Sequence, residues 1–242
     1  MIYSSCDLAF PRWKRIFDLL FLLATAFFWL PLMIVIMCAI RIVSPGPVFF
    51  WQRRVGLRGK PFMIYKFRSM KVNAETQSHE QYLEQLMREE TPMTKLDVAD
   101  DRLIPLGRLF RASGLDELPQ IFNVLRGDMS LVGPRPCTEV ESARYQSWQK
   151  QRFDAPPGIT GYWQVHGKNT TTFNQMIAMD ILYSQRMSLG MDFAIVLRTP
   201  VVLLGEMINS FSVRWRGRQP TAAIRPVGNV FPVGAASNSK YE

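Results

Sequence analysis

Residues 19–40 read LLFLLATAFFWLPLMIVIMCAI and carry no charged side chain. About 20 such residues suffice for a helix to cross the hydrocarbon layer, so this stretch places part of the chain in a membrane. A secretory signal would have a shorter apolar region followed by a small-residue cleavage site, and residues 40–43 offer none. Arg12, Lys14 and Arg15 precede the stretch, while Arg41, Arg53, Arg54, Arg58 and Lys60 follow it. Lysine and arginine gather on the cytoplasmic side, so both flanks read as cytoplasmic. Pro31, near the middle, removes a backbone donor and clashes with the carbonyl of Phe27, which predicts a bend. A bent helix that enters and leaves on one face reconciles these facts. A spanning helix with a proline kink is the alternative, and these residues alone leave both open. Asp18 is expected to pair with Lys14 or Arg15 at the interface.

The chain has 242 residues, enough for one substantial domain and short for two. A net charge of +9 calls for an anionic partner: a phosphate-bearing substrate, acidic lipid or nucleic acid. The basic residues are not interleaved with aromatics on a recognisable nucleic-acid module, so nucleic acid is set aside. The cysteines Cys6, Cys38 and Cys137 are too scattered for a disulfide framework, and His79 and His166 form no metal cluster.

Beyond the apolar stretch, Ser44-Pro45-Gly46-Pro47 is a turn cluster, and residues 48–51 read as a strand. The basic run 52–60, with Gly56 and Gly59, predicts a hairpin turn, and Phe62, Ile64 and Phe67 predict its returning strand. Lys66 and Arg68 lie two apart and so project to one side of an extended backbone. Residues 73–90 favour a helix with Tyr82, Leu83, Leu86 and Met87 as a narrow apolar stripe. Asp97, Asp100 and Asp101 form an acidic loop of the kind that is usually solvated.

Residues 111–136, RASGLDELPQIFNVLRGDMSLVGPRP, concentrate acids, arginines and prolines. Pro119 requires a helix containing it to begin no more than about three residues earlier, which puts Ser113, Asp116 and Glu117 near a helix N-terminus. Such a terminus favours anions, both carboxylate and phosphate. The acids are equally well explained as a cap and a first-turn residue. Arg111 precedes them and Arg126 follows, while Arg135 is held between Pro134 and Pro136. An arginine so restricted loses little entropy in gripping a phosphate with its planar fork.

The signatures KRIFD (14–18), YKFRSM (65–70), DELPQIFNVLRGDMSLVGPRP (116–136) and PGITGYWQV (157–165) resemble the bacterial sugar transferase family. These are monotopic polyprenyl-phosphate phosphoglycosyltransferases, and the likeness runs from about residue 14 to 204. It implies transfer of a phospho-sugar from a UDP-sugar onto an enzyme aspartate with release of UMP, then onto undecaprenyl phosphate. By this resemblance Asp116 is the nucleophile and stands beside Mg2+, with Glu117 as its acidic partner. Arg111, Arg135, Pro134 and Pro136 fall on phosphate- or nucleotide-binding positions, and Lys66 and Arg68 on a basic motif. Pro31 matches a proline that breaks the family's membrane helix into a re-entrant hairpin; Leu30 stands where serine often precedes it. His166 and Lys168 replace a usual serine and arginine, Pro105 replaces threonine, and Asp180, Tyr183 and Asp192 match family positions read as structural.

Residues 139–151 read as a helix, and residues 159–168 as a loop with Tyr162, Trp163 and Gln164. Residues 191–207, interrupted by Arg198 and Pro200, suit an interfacial helix rather than a second span. The expected fold is α+β and mainly helical: a monotopic membrane protein with an N-terminal re-entrant helix, interfacial helices and a small β-hairpin. It divides into a lead (1–12), the re-entrant helix (13–43), a cytoplasmic catalytic domain (44–209) and a basic tail (210–242). Expected partners are a UDP-sugar, undecaprenyl phosphate and lipid of the bacterial inner membrane, with a second copy of the chain kept open. The motifs read the diphosphate and the carrier rather than the hexose. A catalytically silent membrane scaffold of the same fold is the competing reading.

Overall fold

The computed structural model describes residues 10–72, 86–87, 92–93 and 102–216. The chain is mostly helical, with one two-stranded antiparallel sheet, a short parallel strand pair and one long apolar N-terminal helix.

That helix, α1 (Arg12–Val43), continues through Pro31 as one element, so the proline does not divide it in two. Lys14, Asp18, Leu22, Met33, Ile36 and Ile40 are buried along it. Their three-, four- and eleven-residue spacings fall on one face, the stripe expected of a helix seated on a core. Among the described residues it alone is long and apolar enough to cross a membrane.

The hairpin forms, but its first strand runs four residues into the basic run expected as its turn, so that only residues 56–60 make the turn. Strands β1 (Phe49–Val55) and β2 (Pro61–Phe67) pair antiparallel, with Phe49 opposite Phe67 and Val55 opposite Pro61. The Phe49 and Phe67 rings stack at 5.5 Å between centroids. Phe67 then joins Met33, Ile36 and Ile40 of α1 in one apolar cluster, which ties the hairpin to the membrane-length helix.

The 111–136 stretch differs from its sequence reading. Helix α2 (Gly107–Ser113) ends at Gly114, whose φ of 71° is a left-handed cap favourable to glycine. A single 3-10 turn, Leu115–Glu117, carries the two acids. Helix α3 (Gln120–Arg126) starts only after Pro119. Ser113 therefore closes the preceding helix, donating its hydroxyl to the Leu109 carbonyl at 2.7 Å, instead of opening the next.

Strand β3 (Ser130–Val132) pairs in parallel with β4 (Gly158–Thr160), which brings the 133–136 and 156–161 segments together. A Cβ on Gly133 would stand 2.1 Å from the Pro156 carbonyl oxygen, and one on Gly158 2.1 Å from the Gly133 nitrogen. Only glycine allows this approach.

The helix expected over residues 139–151 is shorter. It comprises α4 (Glu139–Ala143), and a separate 3-10 segment, Gln149–Asp154, follows. Tyr145 is drawn inward between them, donating to Glu141 and accepting from Arg152. The loop read at 159–168 contains β4 and α5 (Tyr162–His166). Helix α6 (Phe173–Arg186) opens with a capping box between Thr172 and Gln175. Helix α7 (Leu189–Arg216) runs on through Pro200 and takes in residues 210–216. Of the helix read at 73–90, only Leu86 and Met87 are described, and they are helical; the acidic loop at 97–101 lies outside the described residues.

The pairing expected of Asp18 is also different. Asp18 accepts from the Ser130 hydroxyl and the Leu131 amide, each at 3.0 Å, while Lys14 binds Asp192 and the Tyr183 hydroxyl. Charges removed this completely from water must find fixed polar partners, and β3, α6 and α7 supply them where the interface would not.

Candidate active site

The β1–β2 register puts Gln52 and Arg54 on the same face as Lys66 and Ile64. That face looks onto the Leu115–Glu117 turn and the Pro134–Pro136 segment, and between them lies a shallow open recess. Its polar wall is made by Arg54, Lys66, Glu117, Gln120, Arg135 and Gln164. Lys66 Nζ donates to Glu117 Oε1 at 2.7 Å. Arg54 is buried and donates through Nη1 to the Pro136 carbonyl at 3.1 Å.

Three cations thus face one carboxylate. Burial alone would raise the Glu117 carboxyl, but the Lys66 charge and hydrogen bond, with Arg135 and Lys168, outweigh it and bring it from 4.5 to about 2. Glu117 is therefore ionised at neutral pH. Burial, reinforced by Arg135, lowers the Arg54 guanidinium below its ordinary value. The surplus of positive charge suits a doubly charged anion such as a diphosphate.

The expected site residues are distributed unevenly around this recess. Lys66, Glu117, Arg135 and Pro136 line it. Asp116 is buried at 9% exposure in the same 3-10 turn, beside the wall rather than on it. Arg111 is half-buried in the last turn of α2, off the wall. Pro134 is buried, its carbonyl accepting from the Gly158 amide at 2.9 Å. Arg68 turns away and donates to the Ser44 and Pro45 carbonyls at 2.9 and 2.8 Å, pinning the turn after α1 to the end of β2. Pro31 belongs to α1 and takes no part in the recess.

Among the described residues no three His, Cys, Asp or Glu side chains converge as a metal cage. The carboxylates nearest the recess are those of Asp116 and Glu117, and Glu117 pairs with Lys66. Mg2+ takes oxygen ligands and keeps several waters, so one carboxylate with substrate phosphate oxygens fits it.

Residues 10–206 match the family model described as bacterial sugar transferase. The chain belongs to the bacterial sugar transferase family. It is 45% identical over 162 residues to the galactosyl transferase CpsE of Streptococcus agalactiae serotype III, covering 66% of this chain and 35% of that protein. It is 40% identical over 184 residues to the UDP-glucose:undecaprenyl-phosphate glucose-1-phosphate transferase of Xanthomonas campestris pv. campestris, covering 73% of this chain and 35% of that one. To the protein of the same description from Caulobacter vibrioides it is 40% identical over 200 residues, covering 79% and 69%. The chain thus spans about a third of the length of the first two relatives.

In this member of the family, sequence reasoning missed several groups around the recess. Arg54 was read only as part of a basic flank, although strand alternation from Lys66 would have put it on the inner face once the register was known. Gln120 is 2% exposed and reads locally as one polar residue in a helix. Lys168 pairs with Glu206 of α7 at 2.9 Å and acts electrostatically on Glu117. Glu206 had no signal in the sequence at all, since its partner lies 38 residues away.

Proposed function

We propose that the chain transfers a sugar phosphate from a UDP-sugar to undecaprenyl phosphate through a covalent intermediate on Asp116, releasing UMP and starting a membrane-linked glycan. The observation that carries this reading is the cationic recess of Arg54, Lys66 and Arg135 set against the Asp116-Glu117 turn. Family membership and the named activities of the relatives support it.

In the first step a carboxylate oxygen of Asp116 bonds to the phosphorus that bears the sugar. The bridging P–O bond breaks, and UMP leaves with its electron pair. In the second, a phosphate oxygen of the lipid attacks the same phosphorus and the Asp116 carboxylate departs, leaving a diphosphate-linked sugar on the lipid. Splitting the transfer exchanges one hard displacement for two easier ones. Lys66 and Arg135 orient the diphosphate and offset charge on its oxygens, where such reactions gain most. Held by Lys66, Glu117 keeps a negative charge at the turn and fixes the ammonium toward the recess. Mg2+, held by Asp116 and the substrate's own oxygens, would supply further charge neutralisation.

A lipid substrate requires the site to sit at a membrane surface. We place the domain on the cytoplasmic face of the inner membrane with α1 dipping into one leaflet. Supporting this, Leu22 near one end of α1 and Ile36 and Ile40 near the other are buried against the same body of the protein. Between them Leu23, Phe27 and Phe28 are 74%, 82% and 72% exposed. A bend in this part of α1 is favoured by Pro31 and by Thr25, whose hydroxyl donates back to the Phe21 carbonyl at 2.7 Å.

The deciding assay incubates detergent-solubilised protein with a panel of UDP-sugars, Mg2+ and undecaprenyl phosphate and measures UMP. The wild type is expected to release UMP with at least one sugar, and Asp116→Asn none. Silence across the panel would favour a catalytically inert scaffold, and normal turnover by Asp116→Asn would move the nucleophile elsewhere.

A further inference from the structure

Arg135 reaches the recess from a backbone whose successive carbonyls are all engaged. The Pro134 carbonyl accepts from the Gly158 amide at 2.9 Å, that of Arg135 from Arg152 Nη2 at 2.8 Å, and that of Pro136 from Arg54 Nη1 at 3.1 Å. Prolines on both sides remove φ freedom from the same segment.

Arg152 is the unusual member. It comes from the Gln149–Asp154 segment, is 1% exposed, and does not touch the recess. Its guanidinium is fully enclosed by the Arg135 carbonyl, the Tyr145 hydroxyl and the Asp180 carboxylate. Tyr145 is in turn fixed by donating to Glu141. A buried guanidinium–carboxylate pair is often no better for stability than well-packed apolar side chains, so stability alone explains Arg152 poorly. Its planar fork does what an apolar side chain would not: it holds the Arg135 carbonyl, and with it the backbone from which the Arg135 side chain departs.

We propose that Arg152, seconded by Arg54, is a positioning residue that clamps the Pro134–Pro136 backbone so that the Arg135 guanidinium faces the diphosphate site beside Glu117. The inference rests on the transferase reading, since it assigns Arg135 to the nucleotide-sugar. Its substrate-side consequence is specific: the clamp governs binding of the diphosphate, not the nucleophilicity of Asp116.

The test is a double-mutant cycle on the full chain in detergent, with Arg152→Lys, Arg54→Gln and Arg135→Ala alone and in pairs. Arg152→Lys keeps the charge and loses the fork. Each single change is expected to raise KM for the UDP-sugar by about ten- to a hundredfold, with a smaller change in kcat, as small misplacements of a binding group do. On the Arg135→Ala background, Arg152→Lys and Arg54→Gln should each add less than about twofold, because the side chain they aim is gone. Losses that multiply in the pairs overturn the clamp, as does unchanged KM in Arg152→Lys. Should Arg152→Lys fail to fold by thermal melting, the Arg54→Gln and Arg135→Ala pair decides by the same criterion. UDP binding by equilibrium dialysis on the same proteins separates this claim from the reaction. Coupled losses of UDP affinity in a chain that releases no UMP uphold the clamp and overturn the transferase reading.

Discussion

Glu117 carries two duties that pull its chemistry in opposite directions. It lines the recess, where a second negative charge would oppose a diphosphate, and it anchors Lys66, which attracts one. The pair resolves this by remaining an ion pair. With a carboxyl depressed from 4.5 to about 2, Glu117 contributes stability that is complete above pH 4.5 and disappears as the pH falls through 2. Its side chain is one-third exposed, so the contribution is that of a screened surface pair, roughly 1 kcal/mol. Glu117→Gln is therefore expected to melt slightly below wild type at pH 7 and to match it near pH 2, and an undiminished gap at pH 2 would refute the assignment. The same variant frees Lys66 to move and should raise KM for the UDP-sugar more than it lowers kcat. At this scale the sequence displayed the acids, Lys66 and Arg135 plainly, because they sit in compact motifs. It hid Arg54 and Arg152, whose carbonyl partners lie 82 and 17 residues away and leave no local trace.

The elements show the same division between local and distant causes. The hairpin was legible, because alternation and a glycine-bearing turn are short-range signals. The helix read at 139–151 was not, because Tyr145 leaves the helical path to meet Arg152, a contact no periodicity announces. The long helix α1 is the clearest case: its apolar run was obvious, yet its seat depends on Lys14 meeting Asp192, 178 residues further along. Both side chains are fully buried, and Tyr183 stands in the same group. Removing one partner strands a charge in the interior, at a cost of about 3–5 kcal/mol. Lys14→Met should accordingly lower the melting temperature of the solubilised protein sharply, and Lys14→Met with Asp192→Leu should recover part of the loss. Equal melting of Lys14→Met and wild type would show that the group does not hold α1 in place.

For the whole molecule, the question is how one helix serves both a membrane and a water-facing reaction. A helix that crossed the bilayer would carry one of its ends away from the domain, yet the buried stripe of α1 runs from Lys14 to Ile40 and joins the domain at both ends. Breaking either junction to span would expose Leu22 or the Ile36 and Ile40 pair together with their partners, and the Lys14 end would also lose its ion pair. Each fully buried side chain of this size is worth about 1.5–3 kcal/mol against exposure to water, so both junctions hold α1 to the domain. Between the junctions Leu23, Phe27 and Phe28 are exposed, and the re-entrant placement proposed above would put them in the leaflet. Single cysteines at Arg12, Phe27 and Ile42, in a chain with Cys6 and Cys38 replaced by serine and the buried Cys137 by alanine, place these regions directly. A membrane-impermeant thiol reagent should label Arg12→Cys and Ile42→Cys only from the cytoplasmic side, and Phe27→Cys from neither. Labelling of either flank, or of Phe27→Cys, from the opposite side would mean that α1 spans, and the domain would then have to release one end of the stripe that now holds it.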